Sequence, residues 1–157
     1  MSEVRWRDVR ERCDPAEPGN ASDLLVTGTT TADWDALLTL IRAEGWPARY
    51  ERGGLPASAA AFFPGDTDGW SRFLRVRPGP DLELVFRPWT PDEIAADVSL
   101  FEVQGQERLD LFCGVLRRLG RALGRRVALY PDGGDDRVPI LAYEPGPDRV
   151  VAGHDPF

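Results

Sequence analysis

Only two stretches of this chain repeat apolar residues with a helical period, and turn residues cut most of the rest into short runs. In the first stretch Trp34, Leu37, Leu38 and Ile41 stand at i, i+3, i+4 and i+7, one face of a helix. Thr30 or Thr31 can cap its N-terminus, Asp33 and Asp35 sit where the helix dipole favours acid, and Gly45 with Pro47 ends it. In the second stretch, Gly105 to Gly124, the residues Leu109, Phe112, Leu116, Leu119 and Leu123 recur at three- and four-residue spacing, and Cys113 and Val115 widen the stripe. Gly114 and Gly120 each cost about 1 kcal/mol inside such a helix relative to alanine, which predicts that another backbone comes close there.

The remaining runs read as short strands. Leu24–Gly28 precedes the first helix, and residues 48–63 are expected to hold two short strands around Gly53-Gly54. Phe73–Arg77 and Leu82–Arg87 flank Pro78-Gly79-Pro80-Asp81, the signature of a hairpin with a longer loop. Glu93–Phe101 alternates Ile94, Ala96, Val98 and Leu100, and Val127–Tyr130 with Val138–Tyr143 makes a terminal hairpin around Asp132-Gly133-Gly134-Asp135. Tight turns between strands imply a largely antiparallel sheet. Two amphipathic helices on one face complete an α+β two-layer sandwich. Residues 1–22, charged and then rich in Pro and Gly, read as a loosely attached arm and linker. Residues 23–144 form the single domain and 145–157 a polar tail.

Composition narrows the chemistry. At 157 residues, 42% apolar and 29% charged, the chain has the make-up of one globular domain. All 19 basic residues are arginine, so Schiff-base, pyridoxal and P-loop chemistries lack their ε-amine. The single histidine, His154, stands in the polar C-terminal stretch, and Cys13 and Cys113 are far too separated for a zinc knuckle. Cys113 reads as a buried hydrophobe on the second helix and Cys13 as a free thiol near a mobile terminus. No apolar run approaches the roughly 20 residues of a membrane span. The first residues lack a signal-peptide pattern, so a cytoplasmic protein without cofactor or membrane partner is expected. The net charge of −7 disfavours nucleic acid and suits a basic partner, with solubility alone as the plainer account.

Two arginine groups stand out. Residues 105–126 hold six arginines against Glu107 and Asp110, a local +4, with Arg117, Arg118, Arg121 and Arg125 as a candidate anion site. The same arginines would equally serve the C-terminal dipole of a helix and cover its apolar surface. On the face of the first hairpin opposite the core, Phe73, Arg75 and Arg77 lie beside Glu83, Val85 and Arg87, with Trp70 and Trp89 flanking. Aromatics interleaved with arginine suit a partner surface, and cross-strand Arg–Glu pairing is the plainer account.

Weaker signals have simpler readings. Asp66-Thr67-Asp68-Gly69 begins like a calcium loop but has Arg77 where the twelfth-position glutamate belongs, and Asp132, Asp135 and Asp136 suit a turn, so no metal site is expected. Gly28-Thr29-Thr30-Thr31 has the strand–loop–helix order of a phosphate cradle with only one glycine. Asp97 matters as a base only if its strand face is covered.

The expectation is a non-catalytic binding domain of regulatory, adaptor or toxin-neutralising type, acting through a protein partner at Trp70, Phe73, Arg75, Arg77, Arg87 and Trp89. Toxin-neutralising proteins enter by analogy of size and charge, and no motif carries the comparison. The alternative is an enzyme or binder for a small anion, in which sheet-face arginines hold the ligand and Asp97 acts as base. A self-complementary open face would instead make a homodimer.

Overall fold

A computed structural model of the chain describes residues 4–15, 21–63, 72–131 and 138–153. Its two long helices stand where the apolar periodicity places them. Helix α2 spans Thr31–Glu44, after a short α1 at Trp6–Val9, and buries Trp34, Leu37, Leu38 and Ile41. Thr30 is the N-cap, its amide donating to Asp33 Oδ2 at 2.9 Å, and Gly45 closes the other end in the left-handed conformation at φ 67°. Helix α3 spans Gln106–Leu123, bounded by Gly105 and Gly124.

Eight antiparallel strands form one sheet: β1 Ala21–Thr27, β2 Ala48–Tyr50, β3 Leu74–Gly79, β4 Leu82–Phe86, β5 Glu93–Ser99, β6 Val127–Pro131, β7 Leu141–Glu144 and β8 Arg149–Ala152. Their order across the sheet is β2-β3-β4-β5-β1-β6-β7-β8. The first strand thus lies at the centre, paired with β5 on one side and β6 on the other. Helix α2 carries the chain out to the β2 edge, a meander brings it back to β5, and α3 then crosses it over to β6.

Register explains the core. A single row, Tyr50, Leu74, Phe86, Ala96, Leu24, Leu129, Leu141 and Ala152, runs across all eight strands on the helix side. Its members are buried or pack against the core that also holds α2 and α3. This is the α+β two-layer sandwich that the alternation of apolar residues implies.

Several local expectations are corrected. Only β2 forms within residues 48–63; Ala59–Phe62 is a 3₁₀ turn whose Phe62 meets Trp34 and Tyr50 edge to face. Pro78 and Gly79 belong to β3, so the first hairpin turns on Pro80-Asp81 alone, with Asp81 at φ 54° and a bulge in β3. Strand β5 stops at Ser99 and a 3₁₀ turn, Leu100–Val103, leads toward α3.

The arm and tail are corrected more strongly, because both pack on the body. Val4 and Val9 are buried, and the amide of Trp6 donates to Gln106 Oε1 at 2.7 Å while Gln106 returns a bond to the Val4 carbonyl at 2.9 Å. Arg12 donates to the carbonyls of Val138 and Pro139, each at 2.7 Å. Cys13 is therefore fully buried, and burial pushes its thiol up to about 11 and that of Cys113 up to about 12; both are free thiols. In the supposed tail, Pro145–Asp148 is a hairpin turn and Arg149–Ala152 is β8, paired along β7. Proline fixes φ at values a turn can use, so the composition that reads as tail is also that of a turn.

Candidate functional site

Every second residue of the strands points away from the helices. On that side, adjacent strands align Arg49, Arg75, Val85, Asp97, Asp23 and Tyr130. The next row is Arg87, Ala95, Leu25, Ala128, Ala142 and Val151. Among the described residues no helix covers these rows. Arg49, Arg75 and Arg77 are exposed, and the Asp23 and Asp97 side chains keep 41% and 43% of their surface. Asp97 is thus on the open side of the sheet.

The alanines of this face are nonetheless buried, Ala128 at 2% and Ala142 at 1%. Ala128 lies between longer side chains on the same face. Arg126 pairs with Glu144 at 2.8 Å and donates to the Tyr130 hydroxyl at 3.1 Å, closing over Ala128 between them. Arg87, opposite Ala95, crosses β5 to reach Asp23 at 3.1 Å and approaches Asp97 at 3.6 Å. Its guanidinium also stacks on Trp89, 5.0 Å from the ring centroid. Small residues leave room for arginine stems, and the stems cover apolar surface.

The expected contact residues are only partly assembled by this arrangement. Arg75, Arg77 and Arg87 share the open face, with Phe73 half-buried just before β3 and Trp89 exposed at 38% beyond β4. Glu83 pairs with Arg75 at 3.0 Å and Arg77 at 3.3 Å, so the Arg–Glu pairing is present. Trp70 lies outside the described residues, as do Asp66, Asp68, Asp132, Asp135, Asp136 and His154. The structure adds Phe101, exposed at 61% on the turn leaving β5, and Arg49 opposite Arg75. Phe101 has the parity of Asp97 and Ser99, the one sequence signal that pointed to it. Arg49 offered none, because the pairing of β2 with β3 spans the chain between them. At about 3.4 Å per residue along β5, Trp89 and Phe101 bracket the face on the order of 20 Å apart.

The helical arginines are answered by carboxylates. Arg118 meets Glu44 at 3.4 Å, Arg125 meets Asp33 at 3.2 Å, and Arg121 forks onto Asp148 at 2.9 and 3.0 Å. Arg117 adds positive charge near Asp148. The local +4 is therefore shared out among acids from α2 and the β7–β8 hairpin rather than presented as one anion site. Bonds from Arg121 first, then from the Tyr143 hydroxyl, lower the Asp148 carboxyl to about 2. A depressed carboxyl stabilises the fold above its unfolded value and loses that contribution as pH falls through the folded one. Asp148→Asn should thus lower the Tm by a constant amount from pH 7 to 5. That difference from the parent should shrink below about pH 4 and vanish only below about pH 2. Thermal melts of the pair across this range test it, and a pH-independent difference would refute the ion pair's role.

The threonine loop is likewise occupied. Thr29 donates its hydroxyl to the Pro91 carbonyl at 2.7 Å and its amide to Asp92 at 3.2 Å, while Asp33 takes the Thr30 amide. It serves as turn and cap. Among the described residues no three His, Cys, Asp or Glu side chains gather as metal ligands, and no helix is long and apolar enough to cross a membrane. No protein-family model matches the chain, and no curated protein matches it in sequence.

Proposed function

We propose that this chain is a non-catalytic interaction domain that acts through a protein partner docked on the uncovered face of its sheet. One observation carries the reading: the helices pack on one side of the sheet, and the other side carries Arg49, Arg75, Arg77 and Arg87, with Trp89 exposed just beyond β4 and Phe101 exposed on the turn that leaves β5. Aromatic and arginine side chains dominate the energetics of protein interfaces. The face runs six strands wide from Arg49 to Tyr130, about 24 Å at 4.8 Å per strand, which suits a protein better than a small molecule. The small-anion alternative would need Arg75, Arg87 and Asp97 around one cavity. Arg87 instead spans Asp23 and Asp97, and the cleft that contains Arg75 is lined by Pro47, Ala48, Arg49, Arg77 and Glu83.

Affinity capture of the tagged protein from its own cell lysate is expected to recover a protein partner in near-stoichiometric amount. Trp89→Ala combined with Phe101→Ala should reduce that recovery about tenfold or more, with Tm within about 4 °C of the parent. Recovery undiminished by the double substitution, or recovery of this protein alone or as a homodimer, would overturn the reading.

A further inference from the structure

We infer that the cleft between β2, β3 and β4 receives an acidic segment of the protein partner, a stretch rich in Glu or Asp whose carboxylates settle among three guanidiniums. The inference rests on the docking face proposed above and adds the chemistry of what docks at its β2 end. Arg49 stands directly opposite Arg75 in the β2–β3 register, and both are exposed. Like charges directly opposed across two strands destabilise a sheet, so folding alone gives no reason for the pair. Arg77 lies two residues beyond Arg75 on the same face. Among the described residues a single carboxylate, Glu83, comes within ion-pair distance of this group, and it reaches only Arg75 and Arg77. Arg49 donates instead to the backbone carbonyl of Glu51, at 3.3 Å.

Three guanidiniums against one carboxylate leave an excess of two positive charges around a cleft of about 250 Å³. Elsewhere Arg118, Arg121, Arg125 and Arg126 each face a carboxylate of their own, while Arg12, Arg42 and Arg108, like Arg49, donate to backbone carbonyls. Guanidinium forks bind carboxylates in two-point contacts that neutral partners cannot match. The net charge of −7 opposes a long phosphate polymer at a distance. A short acidic segment seated in the cleft meets first the charges that line it, three arginines against Glu83, with Glu102 beyond Glu83 on the Arg77 side.

The test uses a fluorescein-labelled peptide of alternating Glu and Gly against the full chain at low salt, read by anisotropy. Saturable binding is expected, weakened about tenfold or more by the double substitution Arg49→Gln, Arg75→Gln and unchanged within about twofold by Arg121→Gln, Arg125→Gln. Arg49→Gln alone should melt about 1–3 °C above the parent, since it relieves a like-charge pair. A fall of that size would show that Arg49 supports the fold and would overturn the inference. So would the absence of saturable binding, equal binding of a Lys-Gly peptide, or loss of binding through Arg121 and Arg125 instead. Stabilisation of the parent by inorganic phosphate without peptide binding would assign the cleft to a small anion and also overturn it. If partner capture fails with Trp89→Ala, Phe101→Ala but survives Arg49→Gln, Arg75→Gln, the docking face stands and the acidic segment falls.

Discussion

Trp34→Ala is expected to destabilise the protein by about 3–5 kcal/mol, enough to leave a marginal domain largely unfolded. Trp34 is fully buried and ties α2 to the 3₁₀ turn through edge-to-face contacts with Phe62 at 5.4 Å and Phe63 at 5.8 Å. Alanine would remove those contacts along with the ring and leave a cavity between the helix and the turn. Trp34→Phe should cost far less, about 1.5 kcal/mol or below. The indole Nε1 is buried without a hydrogen-bond partner, so removing it relieves an uncompensated polar group while most of the ring remains. Urea unfolding of the three proteins measures both differences. A loss under about 1.5 kcal/mol for the alanine variant would mean that α2 and the turn do not close one core.

Alanine at two glycines of α3 should shift stability in opposite directions. In an open helix Gly→Ala gains about 1 kcal/mol. At Gly114 the nearest atom to an added Cβ is the half-exposed guanidinium end of Arg118 at 3.3 Å, which has solvent to move into, so Gly114→Ala should realise much of that gain. At Gly120 the Cβ would stand 1.9 Å from Cδ1 of Tyr143 and 2.6 Å from its Cγ. That ring is buried in the core and its hydroxyl is bound to Asp148, so it has little freedom to withdraw. Overpacking of this kind costs about 1–3 kcal/mol or more, which outweighs the helical gain. Paired urea titrations should therefore place the two variants on opposite sides of the parent. Equal stabilisation by both would refute the close approach of Tyr143. The approach expected at these glycines is real at Gly120, but an aromatic ring makes it, where a backbone was anticipated.

The amino-acid order alone determined the local geometry. The spacing of Trp34, Leu37, Leu38 and Ile41, with Thr30 before and Gly45 after, specifies α2 because helical period and capping are properties of neighbouring residues. Alternation likewise separates Leu82, Leu84 and Phe86, which face the core, from Glu83, Val85 and Arg87, which do not. The candidate face was legible to the same depth: Arg75, Arg77, Arg87 and Trp89 fall on it by parity alone.

Only the tertiary structure decided what those residues meet. Arg87 reaches Asp23 because β1 lies beside β5, although the two residues stand 64 positions apart in the chain. Arg49 opposes Arg75 because β2 adds to the β3 edge, and Arg121 finds Asp148 because a Pro-Gly-Pro stretch that reads as tail turns β7 back into β8. The arm docks through hydrogen bonds at Gln106, Gln104 and Arg12 and through buried Val4, Val9 and Cys13, too few apolar residues to form a period. Periodicity reports which side of an element is apolar. Which elements pair is settled by the total burial and hydrogen bonding of the whole sheet against other arrangements of the same strands, and no short window of sequence contains that sum.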